Sequence, residues 1–138
     1  MRVFLDTNIV LDVLLNRPAF IVDSEAVILR CESIGHPMFI AWHGLATVYY
    51  LLKRGRTESE ALIELDKLLS WVCVADCSDA DARTARALSF TDFEDALQAV
   101  SAAASAADLI VTRNIADFSR SKVPAVTPQE LLQRLPIP

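Results

Sequence analysis

Short apolar runs, each closed by a polar turn and followed by a segment with helical spacing, constrain this chain more than any other feature. Arg2 to Leu5 is the first; it ends at Asp6-Thr7-Asn8, and Ile9, Val10, Val13 and Leu14 then recur as a helix face would. Pro18 punctuates, and Phe20 to Ser33 sets Val22, Ala26, Val27 and Leu29 against Asp23, Glu25, Arg30 and Glu32. Gly35 stops this helix, since it takes the left-handed backbone that closes many helix C-termini. Pro37 to Ala41 reads as a second strand, with a helix from about His43 to Lys53. Thr57-Glu58-Ser59-Glu60 is a capping-box signature for a helix to about Ser70. Trp71 to Ala75 is a third strand candidate, Ser78 to Leu88 a helix, Asp92 to Ala106 another, and Asp108 to Thr112 a fourth strand. Arg113 to Phe118 is a polar turn or a single helical turn, Val123 to Val126 a short fifth strand, and Thr127-Pro128-Gln129-Glu130 opens a last helix. Strands alternating with one or two helices predict an α/β fold with a central, mostly parallel sheet of four to five strands covered on both faces. The 138 residues contain no internal repeat and no linker, so a single domain over residues 1–138 is expected.

Composition narrows the class. An apolar fraction of 53% with only three Gly and six Pro excludes a disordered or low-complexity chain. The 13 basic against 18 acidic residues leave a net charge of −5, which argues against a general nucleic-acid coat or a basic membrane-surface module. It does not exclude a nucleic-acid enzyme whose acids share one cleft and hold metal ions. Cys31, Cys73 and Cys77 lack nearby histidine partners and are expected to be buried, reduced thiols rather than a zinc site. Asp6 comes too early for a signal peptide, and Gly35, His36, Pro37, His43 and Gly44 break the uncharged stretch from Ser33 to Leu52. A soluble, cytoplasmic protein is expected.

The positions of the acids carry the functional reading. In open α/β sheets the working residues lie just beyond the carboxyl ends of the strands. Asp6 follows the first strand directly; Asp92 and Asp95 open a helix three residues apart, sharing a face; Asp117 lies shortly after the strand that ends at Thr112. Carboxylates that converge in this way repel one another unless cations enter. An all-oxygen set suits Mg²⁺ or Mn²⁺, and paired divalent ions roughly 3.5–4 Å apart clamp a phosphodiester for hydrolysis. Each acid also has a plainer reading: a helix cap or turn acid for Asp6, first-turn acids for Asp92 and Asp95, a solvated loop residue for Asp117. Asp12 reads as a helix surface acid. An aspartyl-phosphate phosphatase would want a second acid where Asn8 stands, and three glycines cannot build a phosphate loop.

Val3-Phe4-Leu5-Asp6-Thr7-Asn8-Ile9-Val10-Leu11-Asp12, then Asp92-Phe93-Glu94-Asp95-Ala96-Leu97-Gln98-Ala99, then Ile110-Val111-Thr112-Arg113-Asn114 with Asp117-Phe118 resemble the PIN domain, over essentially the whole chain. The resemblance implies a three-layer α/β/α sandwich and an Mg²⁺- or Mn²⁺-dependent endoribonuclease. Many such proteins are VapC-like toxins, usually dimeric and neutralised by a cognate antitoxin. It places Asp6, Asp95 and Asp117 in the metal-binding positions, with Asp92 as a supplementary acid. Asn8 and Thr112, beside those acids, would orient carboxylates or metal-bound water, and Asn114 and Thr47 complete the surroundings.

One departure concerns Thr47, where active members of this family commonly carry Glu. A hydroxyl is neutral and cannot replace an ionised carboxylate as a metal ligand or base. Asp92 is the expected replacement for that charge; a decayed site, leaving a module that binds RNA or a protein partner, is the alternative. Arg113, Arg120 and Lys122 lie beside the acids in sequence and are candidate RNA-phosphate contacts. Lys53, Arg54 and Arg56 read more simply as a solvated helix end. Of Trp42, Tyr49, Tyr50 and Phe20, most are expected in the core.

Overall fold

The computed structural model describes residues 1–137. Val3–Leu5 forms β1, the middle strand of a five-stranded sheet in the order β3-β2-β1-β4-β5, with β2 at Met38–Ile40, β3 at Cys73–Val74, β4 at Leu109–Val111 and β5 at Ala125–Val126. Every pairing is parallel, with Val3 opposite both Met38 and Leu109. The sheet is therefore wholly parallel, a step beyond the mostly parallel sheet expected. Side chains alternate across it as the pleat requires. Val3, Leu5, Met38, Ile40, Leu109 and Val111 enter one core, while Phe4, Phe39 and Ile110 enter another on the opposite face. With both faces covered, the central strands are apolar at every position, which is why they read as continuous runs rather than alternating ones.

The helices are α1 (Thr7–Leu14), α2 (Ile21–Ser33), α3 (Trp42–Leu52), α4 (Glu58–Trp71), α5 (Asp79–Ala87), α6 (Phe93–Ala104) and α7 (Pro128–Arg134), with a 3-10 turn at Ile115–Phe118. Buried residues of α1 to α4 and α7 fill the first core, and α6 covers the second, backed by Ala85 of α5. This is the three-layer α/β/α sandwich. Local sequence signals set the helix ends. Gly35, at φ +71°, ends α2, with its N–H bonded to Glu32 O at 3.1 Å and that of His36 to Cys31 O at 2.8 Å. Thr127 and Glu130 complete a reciprocal capping box on α7, whereas at α4 only the Thr57 half forms.

Three expectations fail. Asp12 is not a surface acid: it is 0% exposed, inside α1. Trp42 and Tyr50 are 70% and 69% exposed and Phe20 is 39% exposed, so these aromatics are surface rather than core; Tyr49 is half-buried. Of the cysteines only Cys31 is buried, its thiol pushed up to about 11 by burial, and all three are free. Lys53 pairs with Glu58 at 3.2 Å and Arg56 bonds the α3 carbonyl of Leu52, as a helix end does. Among the described residues, no helix is long and apolar enough to cross a membrane.

Candidate metal centre

The sheet order changes direction between β1 and β4, because the chain runs outward from β1 through β2 and β3 and returns to β4 on the other side. Such a reversal opens a crevice at the carboxyl ends of the two strands. Asp6 and Thr112 are the first residues beyond those ends, and the Thr112 hydroxyl donates to Asp6 Oδ2 at 2.8 Å. Asp6 also caps α1, its Oδ1 accepting from Asn8 N at 3.4 Å, so the helix-cap reading of Asp6 holds together with its place in the crevice. The Gln98 Nε2 gives Oδ1 a further bond at 2.9 Å. Asp6 is 5% exposed, and burial is the leading cause that raises its pKa, against the lowering effect of these donors.

Asp95 stands on the first turn of α6, half-buried, with its pKa pushed up to about 7 by burial and then by the charges of Asp92, Glu94, Asp117 and Asp6. Asp92, Asp95 and Asp117 line one cleft of about 420 Å³, with Arg120 on its wall. Asp92 is the N-cap of α6, its Oδ1 accepting from Glu94 N at 2.8 Å and Asp95 N at 3.2 Å. The first-turn reading is thus also satisfied, and Asp92 stays exposed. Asp117 lies exposed in the 3-10 turn.

Three residues not singled out from sequence join these acids. Glu94, half-buried, accepts from His43 Nε2 at 3.1 Å and from Gln98 Nε2 at 2.9 and 3.1 Å. Gln98 Oε1 accepts from Thr7 N at 3.1 Å, so this amide, 1% exposed, spends every polar atom between the start of α1 and Glu94. Burial pushes the Glu94 carboxyl up, but the His43 and Gln98 bonds outweigh it and the net shift is downward. The signal for Glu94 and Gln98 is their spacing of one helical turn, which puts an acid and an amide on one face of α6.

The other expected residues divide. Asn8 serves Asp6 through its main-chain N–H, while its side chain accepts from Arg17; Asn114 N–H donates to Thr112 Oγ1 at 3.1 Å. Thr47 is exposed on α3. Arg120 donates to Ser89 O at 2.6 Å and lines the acidic cleft, and exposed Lys122 lines a neighbouring cleft that also includes Arg120. Arg113 is elsewhere. Its guanidinium grips both oxygens of Asp12 at 3.1 and 3.2 Å and lies 3.7 Å from the Phe20 ring centroid. A guanidinium so engaged has a structural role.

The donor chemistry of the acids suits a cation. One carboxylate oxygen each from Asp92, Glu94 and Asp95 lie within 4.8 Å of one another, close enough for a single ion. No described Lys or Arg pairs with Asp6, Asp92, Asp95 or Asp117. An oxygen-only set with uncompensated charge fits a hard divalent cation.

A PIN-domain family model matches residues 2–116. The chain belongs to the PIN-domain family. Its fold is similar to that of VapBC2 from Rickettsia felis, whose crystal structure was solved bound to a DNA fragment from its promoter. That match has 22% identity and a TM-score of 0.65, over 92% of this chain and 98% of the other. A second similar structure is VapBC-1 from nontypeable Haemophilus influenzae, at 16% identity and a TM-score of 0.67, over 94% of this PIN domain and 99% of that chain. At these identities the likeness is one of fold. No curated protein matches the sequence.

Proposed function

We propose that this PIN domain is an Mg²⁺- or Mn²⁺-dependent endoribonuclease that hydrolyses RNA phosphodiesters. The observation that carries the reading is the convergence of Asp6, Asp95, Asp117 and Asp92 around the β1–β4 crevice without basic partners. A bound divalent cation supplies Lewis-acid stabilisation of phosphodiester charge and a more acidic water. The protein's part is positioning. Thr112, Gln98 and the Asn8 amide hold Asp6 in one orientation, so its carboxylate needs no rearrangement when cation and substrate arrive. Asp95 and Asp117 face the same open cleft, and Asp92 adds charge at its rim. Arg120 and Lys122 are the basic groups in reach of an RNA backbone there; such contacts position a strand without reading its sequence.

The biological role we propose is that of a toxin neutralised by a cognate antitoxin, working as a homodimer in the cytoplasm. Trp42 and Tyr50 on α3 and Leu62, Ile63 and Leu69 on α4 are exposed apolar side chains of the kind protein partners cover. A second reading, a non-catalytic module that binds RNA or protein, draws on the neutral Thr47. Incubation of purified protein with structured RNAs separates the two. Cleavage is expected with Mn²⁺ and is lost with EDTA or in Asp6→Asn. No cleavage with any divalent ion favours the binding module, and cleavage that survives EDTA or Asp6→Asn contradicts the nuclease reading.

A further inference from the structure

We propose that Glu94 is a cation-binding carboxylate of this site, set in place by His43 and Gln98, so that α6 supplies the acidic group that α3 lacks at Thr47. The inference rests on the metal-dependent reading above. Glu94 is joined to both parts of the acidic cluster. Its carboxylate lies within ligating distance of Asp92 and Asp95. Through Gln98 it is also tied to Asp6, because Nε2 donates to Asp6 Oδ1 at 2.9 Å and to both Glu94 oxygens at 2.9 and 3.1 Å. An amide nitrogen has two hydrogens, and here both are spent on carboxylates. Thr7 N–H holds the amide oxygen, so a flip would set that oxygen against two negative groups. The separation of Glu94 from Asp6 is therefore fixed by a buried side chain rather than by solvent.

The α3 side of the site is fixed by packing. A Cβ on Gly44 would stand 2.9 Å from Thr7 Oγ1, so the start of α3 packs closely on the segment that carries Asp6 and a side chain there would make Thr7 shift. His43, next to that contact, reaches Glu94 across the gap between α3 and α6. Thr47 lies one helical turn beyond His43 on the same face, and its hydroxyl carries no charge. The Glu94 carboxylate thus stands beside the face of α3 from which an acid at position 47 would project. If the pair were only a partly exposed His–Glu contact, it would contribute little and leave cation affinity unchanged.

Mn²⁺ binding to the full chain, followed by electron paramagnetic resonance of the free ion, tests this without relying on cleavage. Glu94→Gln keeps the shape of the side chain and is expected to bind Mn²⁺ roughly 10–100-fold more weakly than wild type. Its melting temperature is measured in EDTA to show that it folds. Adding Thr47→Glu to Glu94→Gln is expected to recover most of the affinity, because it returns a carboxylate from the α3 side. Wild-type affinity in Glu94→Gln overturns the proposal and leaves the nuclease reading standing. A loss that Thr47→Glu does not recover also overturns it, by assigning the effect to a displaced Asp6. Wild-type protein that binds no Mn²⁺ removes both.

Discussion

Asp6 caps α1 and Asp12 lies inside it; both are buried, yet their surroundings are opposite. Asp12 receives Arg113 on both oxygens, Arg17 at 3.4 Å and the Ser24 hydroxyl at 3.0 Å, so two cations answer one carboxylate. Asp6 receives only an amide, a hydroxyl and a main-chain N–H, and the charges nearest to it are other carboxylates. The first arrangement is complete in itself. It ties α1, α2 and the segment after β4 together and leaves its arginines little capacity for a ligand. The second is hydrogen-bonded but not charge-balanced by any described side chain, so a proton or a cation must supply the balance. Buried acids of this kind are distinguished by what neutralises them rather than by how deeply they lie.

Substitutions can break this contrast from either side. The largest expected effect is on catalysis: Asp6→Asn should lower RNA cleavage about a thousandfold or more, while its melting temperature in EDTA does not fall, because a desolvated charge has been removed. A marked loss of stability would make Asp6 structural, like Asp12. Arg113→Ala should do the reverse. Leaving Asp12 buried without its main partner costs about 3–5 kcal/mol, visible as a drop of roughly 10 °C or more in thermal melting. Cleavage per folded molecule should persist, and its salt dependence should not change; a changed salt slope would return Arg113 to the RNA contacts.

The pH dependence of stability sharpens the same contrast. Asp95 titrates at about 7 in the folded chain against an ordinary value of 3.8. Between those values the folded chain holds a proton that the unfolded chain has lost, so stability in EDTA should fall as pH rises through that window. Melting curves of Asp95→Asn should be flatter there, and Mn²⁺ should restore the wild-type protein at the upper end. A slope unchanged by Asp95→Asn would mean that burial and the neighbouring acids do not raise the Asp95 carboxyl as described. The smallest effect is at Asp92. Asp92→Ala should cost about 1 kcal/mol through the lost cap, and Asp92→Asn, which still caps, almost nothing. Any loss of Mn²⁺ affinity in Asp92→Asn then reads its charge at the cleft separately from its cap.

The strand–helix order and the place of Asp6 were legible because they rest on local signals: apolar runs, capping pairs, and the turn at Gly35. Asp12 was not, because its partners Ser24 and Arg113 come from other elements, and a charge on an apolar helix face looks like a surface residue until they are in place. Arg113 was read as a phosphate contact for the same reason, since adjacency to the acids in sequence says nothing of which way a long side chain turns. Glu94 escaped notice because its partner His43 is 51 positions away and meets it only when α3 packs beside α6. Trp42 and Tyr50 follow a helical period but face outward, where pattern alone cannot separate a core from a partner surface.

The most direct test of the central claim is an equilibrium titration of the metal-free chain with Mn²⁺ above neutral pH, where Asp95 is ionised. Saturable binding that raises the melting temperature, and is lost in both Asp6→Asn and Asp95→Asn, is the predicted result. No binding, or binding that survives both substitutions, would contradict it.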